Sequence, residues 1–353
     1  MEKLQPEMEI KLAYISGLRE VVLCEVEQNT NLELLQTGTH SSASVGDATY
    51  LKFSPESLVA AKHSRSAVRV YVVVRDRKFH PAYIFKHKFV LARLVETVKN
   101  AKDAGDFKSF KITCTGKDSP EVRGVAKYIS ETYGLPEKEE ADLKIHIIKL
   151  GEVWEVGVEA TARPLSVREY KVAHMSGAMN PTIAYTVNSL AGLETATSYL
   201  NVFSGSGTLL IEAAESFPHL QKLVGFDQSK KHLSLAVQNL KKARLMQKVE
   251  LKEGNVFKKP DFGMFDAITS DLPFGMAVSK GEDLEALYKT FVEYCEEKLN
   301  SSGRLVVYTS AHEILRAVLS HSKFEITKTF DLKIVTSVDA YLRPKIFVCK
   351  FQG

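Results

Sequence analysis

The sequence predicts a two-part α/β protein: an α+β first half, then a doubly wound parallel sheet closed by an antiparallel hairpin at one edge. Three observations predict it. From Ser198 onward, β-branched and aromatic runs of strand length alternate with amphipathic helical stretches, the pattern of βαβ units in a parallel sheet. The last two runs, FEITKTFDLKIV and KIFVCKF, have no helix between them and should pair antiparallel. The residues before Thr161 mix strands and helices without that alternation.

The elements follow in order. EIKLAYIS and TYLKFS read as strands around the helical LREVVLCEVEQ, and AVRVYVVVR is a buried strand. PAYIFKHKFVLARLVETVKNAKD has helical periodicity, with a break expected near Phe85. FKSFKITCTGK is a strand, and SPEVRGVAKYISETYG is a helix that starts with Ser119, Pro120 and Glu121 and stops at Gly134. ADLKIHIIKLG and VWEVGVEAT alternate as two hairpin strands around Gly151. Residues 161–182 are polar and punctuated by Pro164, Gly177 and Pro181, which marks a linker. Then come strand YLNVF, helix TLLIEAAESF, strand KLVGFD, helix SKKHLSLAVQNLKKARL, strand VELKEGN, strand FDAITSD, helix LEALYKTFVEYCEEKL, strand RLVVYTS and helix HEILRAVLS. The expected boundaries are 1–57, 58–162, a linker at 163–184, and 185–353.

The 353 residues hold 44% hydrophobic and 25% charged residues, an ordinary globular balance. No apolar run reaches the roughly 18 residues of a membrane helix, and the first residues lack the apolar stretch of a signal peptide. A cytoplasmic protein with no membrane partner is expected. Cys24, Cys114, Cys295 and Cys349 are far apart with no histidine nearby, so reduced thiols and no metal are expected. The net charge of +4 is unevenly spread: Lys52 to Lys127 holds 17 Lys and Arg against 7 Asp and Glu. A basic half beside a more acidic one points to a polyanion-binding module, or to a solvated basic face.

Four strand ends carry the candidate chemistry. Phe203 leads into Gly205-Ser206-Gly207-Thr208, a strand-to-helix turn where glycines admit a ligand to the backbone and the helix presents free N–H groups. The third glycine of GxGxxG is missing, so a dinucleotide site is not supported. Asp227 ends the next strand, 22 residues after Gly205, where a carboxylate can accept both ribose hydroxyls of a nucleoside; it can equally cap the following helix, alone or with Ser229. Asn255 and Val256 end the third strand; the Asn255 amide fits an adenine edge, or simply serves the turn. SDLPFG ends the fourth. Asp271 sits where doubly wound sheets bind ligands, Pro273 extends the backbone so that the Leu272 carbonyl is free, and Phe274 offers a flat face. Two acceptors can take both hydrogens of a planar exocyclic amine while a base stacks on the ring.

Residues 198–353 resemble class I S-adenosylmethionine-dependent methyltransferases, with a Rossmann-like domain. SDLPFG is similar to the (Asp/Asn)-Pro-Pro-(Tyr/Phe) motif of amino methyltransferases, in the Asp-x-Pro-Phe-Gly form of THUMP-domain RNA guanine-N2 methyltransferases. FKSFKITCTGK, the helix around Glu121–Tyr133, ADLKIHI, VWEVGVEAT and then RPLSVREYK resemble a THUMP domain and its linker, and the first 55 or so residues resemble, weakly, the ferredoxin-like subdomain before it.

The resemblance implies a catalytic set of Asp271, Leu272, Pro273 and Phe274. It implies a cofactor set of Phe203, Gly205, Ser206, Gly207, Thr208, Asp227, Asn255 and Val256, with S-adenosylmethionine as cofactor. It implies RNA contacts from Lys108, Lys111, Lys117, Arg123 and Lys127, with Arg168 and Tyr170 in the linker. The implied product is N2-methylguanosine in tRNA, at position 6 of the acceptor stem. An rRNA guanine-N2 methyltransferase and a non-catalytic RNA-binding relative are the alternatives. The family usually opens its first motif as Asp-Pro-Phe-Cys-Gly-Ser-Gly, and this chain has Asn201-Val202-Phe203-Ser204; position 255 is Asn where Asp is usual. Fewer acids around a cationic ligand lower the expected affinity.

Overall fold

The computed structural model describes residues 6–35, 40–42, 46–101, 107–274, 283–337 and 340–353. Its contacts divide the chain into two compact units. The first comprises the described residues up to Tyr14 and Val22–Leu165; the second comprises Ile15–Val21 and Ser166–Gly353.

The first unit runs β1 (Glu9–Tyr14), α1 (Arg19–Glu27, whose start belongs to the second unit), β2 (His40–Ser42), β3 (Gly46–Lys52), α2 (Pro55–Lys62), β4 (Arg69–Asp76), α3 (Lys88–Asn100), β5 (Phe110–Cys114), α4 (Pro120–Tyr133), β6 (Leu143–Leu150) and β7 (Val153–Glu159). Its strands form one sheet in the order β2-β3-β1-β4-β7-β6-β5. Segments 1–57 and 58–162 therefore share a sheet, because β4 pairs with β1 on one side and with β7 on the other. The helical pattern after Pro81 breaks at His87: Pro81–His87 is a 3-10 turn, and α3 buries Leu91, Leu94, Val95 and Val98 at helical spacing. Ser119 caps α4 by accepting the Val122 N–H, and Gly134 ends it in the left-handed region.

A polar cluster lies within this unit. Fully buried Glu155 accepts from Lys11 Nζ and Tyr50 Oη and contacts His146 Nε2, each at 2.7 Å. Burial pushes the Glu155 carboxyl up, but His146 and Lys11 outweigh it and hold the group down at about 2.

The second unit continues with α5 (Pro181–Leu190), β8 (Ser198–Val202), α6 (Thr208–Ser216), β9 (Lys222–Asp227), α7 (Lys230–Ala243), β10 (Val249–Glu253), β11 (Phe265–Asp271), α8 (Leu284–Lys298), β12 (Leu299–Thr309), α9 (His312–Leu319), β13 (Phe324–Asp331), β14 (Ile334–Ser337), β15 (Ala340–Leu342) and β16 (Lys345–Phe351). The expected linker at 163–184 divides between the units at Leu165/Ser166, and α5 starts inside it.

The sheet order is β10-β9-β8-β11-β12-β16-β13. The pairs from β10 to β12 are parallel; β16 is antiparallel to both β12 and β13. The long strand expected from Phe324 to Val335 is interrupted. Leu332 donates to the Pro344 carbonyl, and Pro344 has no N–H to return, so the ladder stops. Ile334–Ser337 then pairs with Ala340–Leu342 as a separate hairpin.

The core of this unit is the layer between sheet and helices. Leu200, Val224, Ile268 and Leu305 on the strands meet Leu287, Phe291 and Cys295 on α8, all nearly or fully buried. The site is thereby fixed: β8 and β11 lie side by side where the strand order reverses, and their carboxyl ends open a crevice.

Candidate active site

The turn after β8 is built on left-handed backbone. Gly205 has φ +52° and Gly207 φ +80°, and a Cβ on Gly207 would press on Ala236 Cβ at 3.2 Å. Phe203 adopts φ +57° without being glycine, a strained conformation of the kind that clusters at ligand sites. This turn is held from the next strand. Asp227 Oδ2 accepts the Gly205 N–H at 2.9 Å, and Oδ1 accepts the Ser229 N–H at 2.8 Å. Ser229 is the residue that caps α7, accepting from the His232 N–H. His232 Nδ1 lies 3.3 Å from Asp227 Oδ1.

A cavity of about 750 Å³ opens above these strand ends. Of the residues expected to hold a cofactor, Phe203, Gly205, Ser206, Thr208, Asp227, Asn255 and Val256 line it; Gly207 shapes the turn beneath. Asp271, Leu272, Pro273 and Phe274 line it as well, so the whole catalytic set and nearly the whole cofactor set meet in one space. The buried hydroxyls of Ser204 and Thr208 have no hydrogen-bond partner among the described residues, and both residues line the cavity. Unspent buried polar groups beside a glycine turn and a carboxylate fit a ligand with an amino-acid end and a ribose.

Asn255 is more engaged than its sequence position suggests. Its Oδ1 accepts the Phe257 N–H at 2.9 Å and its Nδ2 donates to Gln228 at 3.0 Å, so the amide serves the turn. Asn201 lies beneath the site and does not line the cavity: it is fully buried, with Nδ2 donating to the Thr269 carbonyl at 3.1 Å. The acid usual at that position therefore has no direct counterpart at the ligand surface here.

At the end of β11 the Asp271 carboxyl is pushed up to about 7 by burial, with the Lys171 ammonium pulling the other way. Burial likewise lowers Lys171, opposed by Glu212 and Asp271, and its Nζ donates to the Met179 carbonyl at 2.9 Å. The motif's backbone is pinned on both sides. The Leu272 N–H donates to the Tyr308 carbonyl at 3.0 Å, and Tyr288 Oη donates to the Pro273 carbonyl at 2.9 Å. The Leu272 carbonyl accepts no hydrogen bond from the described residues. Gly275, the last residue of the motif, lies outside the described residues.

Several lining residues carried no signal in the sequence: Met175–Met179, read as linker, His232, Phe257, Asp283 and Leu342. Met175 sits over the glycine turn, its sulfur 3.3 Å from where a Gly205 Cβ would lie. Tyr288, which holds the Pro273 carbonyl without lining the cavity, is buried on α8.

The expected RNA contacts are placed differently. Arg168 and Tyr170 are turned inward, with Arg168 Nε donating to Glu212 Oε1 at 3.0 Å and Tyr170 Oη to the same oxygen at 2.8 Å. Glu212 is fully buried, which is what draws both side chains in. In the first unit, Lys111 pairs with Glu139, Arg123 forms a two-pronged pair with Glu137, and Lys127 lies 3.7 Å from Glu131. Lys117 is 3.8 Å from Glu139, whereas Lys108 forms no ion pair among the described residues. The acids that answer the basic stretch follow it in sequence: Glu131 one helical turn on from Lys127, Glu137 and Glu139 by folding back onto it. Exposed aromatics lie nearby beside Lys88, which has no ion pair among the described residues: its Nζ stands 4.8 Å from the Phe85 ring and 5.5 Å from Phe89, which is 71% exposed. No cluster of potential metal ligands occurs among the described residues, and none of their helices is long and apolar enough to cross a membrane.

Residues 168–338 match the family described as RMKL-like, methyltransferase domain. Among known proteins, the U6 snRNA (guanine-N(2))-methyltransferase THUMPD2 of Mus musculus is 30% identical over 236 residues, 62% of this chain and 42% of that protein. The tRNA (guanine(6)-N2)-methyltransferase of Thermus thermophilus is 28% identical over 203 residues, 57% of this chain and 60% of that protein. The chain thus spans less than two thirds of the length of these curated relatives. TrmN from Thermus thermophilus has the same fold, with a TM-score of 0.77 at 23% identity over 98% of this chain and 99% of that one.

Proposed function

We propose that this chain, whose residues 168–338 match the RMKL-like methyltransferase domain, moves a methyl group from S-adenosylmethionine to the exocyclic N2 of a guanosine in RNA. The substrate we favour is tRNA, at position 6 of the acceptor stem, in keeping with the tRNA (guanine(6)-N2)-methyltransferases among its relatives. The observation that carries the reading is the convergence of Asp271, the free Leu272 carbonyl and Phe274 on the cavity that also holds the Gly205 turn and Asp227.

Bound S-adenosylmethionine supplies an electrophilic methyl group on a sulfonium. Asp227 would accept the ribose hydroxyls, and the turn with Ser204 and Thr208 would take the amino-acid end. Asp271 and Leu272 accept the two N–H hydrogens of the guanine amine, which orients its nitrogen. Phe274 stacks on the base, and the base has to leave its helix to enter. As the methyl's bond to sulfur breaks, leaving a neutral thioether, and its bond to the amine nitrogen forms, the surplus proton on nitrogen would go to the Asp271 carboxylate. No histidine or cysteine is required, and positioning carries most of the catalytic work.

The test is transfer of labelled methyl to total tRNA and, in parallel, to U6 snRNA and rRNA transcripts, followed by nucleoside analysis. N2-methylguanosine in tRNA is the expected product. Label confined to U6 snRNA or rRNA would keep the chemistry and move the substrate. Label in no RNA, with cofactor binding intact, would favour a non-catalytic RNA-binding relative.

A further inference from the structure

The hairpin β14–β15 is inserted between β13 and β16, forms a two-stranded sheet of its own with Lys333 at its base bridged to Ser16, and reaches the catalytic cavity. Side chains alternate across a hairpin, and here the two faces differ. Ile334 and Leu342 are cross-strand partners on one face, both partly buried, and Leu342 lines the cavity that holds Asp271 and Phe274. Val335 and Tyr341 are partners on the opposite face and stand 49% and 45% exposed. Lys333 and Arg343 extend that outer face by one step on each strand. Lys333 Nζ is 4.4 Å from the centre of the Tyr341 ring, and the Arg343 guanidinium carbon is 5.9 Å from it. Neither cation has an acidic partner among the described residues, unlike Lys328 and Lys345 nearby, which are paired with Glu20 and Asp331.

An exposed tyrosine flanked by two cations that have no acidic partner among the described residues, on an arm whose other face walls the reaction cavity, matches the chemistry of a nucleotide strand: a base to stack and phosphates on either side. Nothing in the fold of the sheet requires it, since β13 and β16 pair from Phe324 to Asp331 without it. We infer that the β14–β15 hairpin is a substrate arm, in which Tyr341 stacks on a nucleotide adjoining the target base while Lys333 and Arg343 hold its phosphates. This rests on the reading of the chain as an RNA methyltransferase. The arm fixes which strand geometry can present a base to Asp271, so it selects substrate without touching the transferred methyl.

The test compares wild type with Tyr341→Ala, Tyr341→Phe and the double variant Lys333→Ser/Arg343→Ser. Binding to fluorescent tRNA and to U6 snRNA transcript is measured from low to moderate salt, alongside methyl transfer to the same RNAs and calorimetric binding of S-adenosylhomocysteine. Tyr341→Ala should raise the KM for the methylated RNA about 10-fold, with Tyr341→Phe close to wild type. The double variant should flatten the dependence of log affinity on log salt by about 1.4, two phosphates' worth. S-adenosylhomocysteine affinity should be unchanged in all, which also reports that the variants fold. RNA binding, KM and salt slope all at wild-type values in folded variants would overturn the arm. Wild type that binds RNA but methylates none would sink the proposed activity while the binding data still decide the arm. Wild type that binds neither RNA would overturn both.

Discussion

Asp227 Oδ2 accepts the Gly205 backbone N–H at 2.9 Å, tying the acid at the end of β9 to the glycine turn at the end of β8. A charged acceptor makes this bond strong, and it orients the carboxylate at the cavity wall where a ribose would meet it. Asp227→Ala should therefore loosen the turn as well as remove a ligand contact. A loss of about 1.5–3 kcal/mol is expected, roughly 10- to 100-fold in affinity for S-adenosylhomocysteine by calorimetry. Unchanged affinity would remove Asp227 from the cofactor site.

Asp271 should govern the pH profile. Its carboxyl is raised to about 7, and only the ionised form can take the surplus proton of the methylated amine. The kcat/KM should climb between about pH 6 and 8 with a midpoint near 7. Asp271→Asn should abolish transfer while RNA and cofactor still bind. The stability effect has the opposite sign. A carboxyl raised in the folded state holds its proton there longer than in the unfolded chain, so its burial destabilises increasingly as pH rises from about 4 through 7. Thermal melts at pH 8 should then show Asp271→Asn more stable than wild type, with the difference vanishing near pH 4.

Phe274 and Tyr288 separate stacking from positioning. Phe274→Ala should cost about 1–3 kcal/mol in kcat/KM for RNA if the base stacks on it. Tyr288→Phe removes only the hydroxyl that donates to the Pro273 carbonyl. It should lower kcat by several-fold with KM for RNA nearly constant, as the motif loses its anchor. A rise in KM alone would place Tyr288 in substrate binding instead.

Arg168 and Tyr170 provide a structural prediction. Arg168→Ala strands the buried Glu212 carboxylate, a change worth roughly 3–5 kcal/mol in comparable sites. The melting temperature should fall by several degrees, and Glu212→Gln in the same chain should restore part of it. The salt slope of RNA binding should not change, whereas a phosphate-binding arginine would flatten it.

The alternation of strand and helix after Ser198, the glycine turn, Asp227 and SDLPFG were all legible in the sequence, because each is local: a period, a turn, or a strand end. Position at a strand's carboxyl end is enough to place a residue at the crevice of a doubly wound sheet, which is why Gly205, Asp227 and Asp271 could be gathered before any coordinates. Asn255 was legible only as two alternatives; its amide bonds Phe257 and Gln228 in the turn while the residue also lines the cavity.

What the tertiary structure decided depends on partners distant in sequence. Arg168 and Tyr170 look like surface RNA contacts until Glu212, 44 and 42 residues away, is seen buried beside them. The surplus of charge from Lys52 to Lys127 is partly answered by Glu131, one turn on from Lys127 in α4, and by Glu137 and Glu139, which lie just past the stretch in sequence and return in space. Leu342 and Met175 enter the cavity from segments whose local sequence signals only the connection between two strands and a linker. Composition and periodicity report what one stretch of chain prefers. Whether a charge faces water or another charge is settled by desolvation at contacts that exist only once the chain has folded.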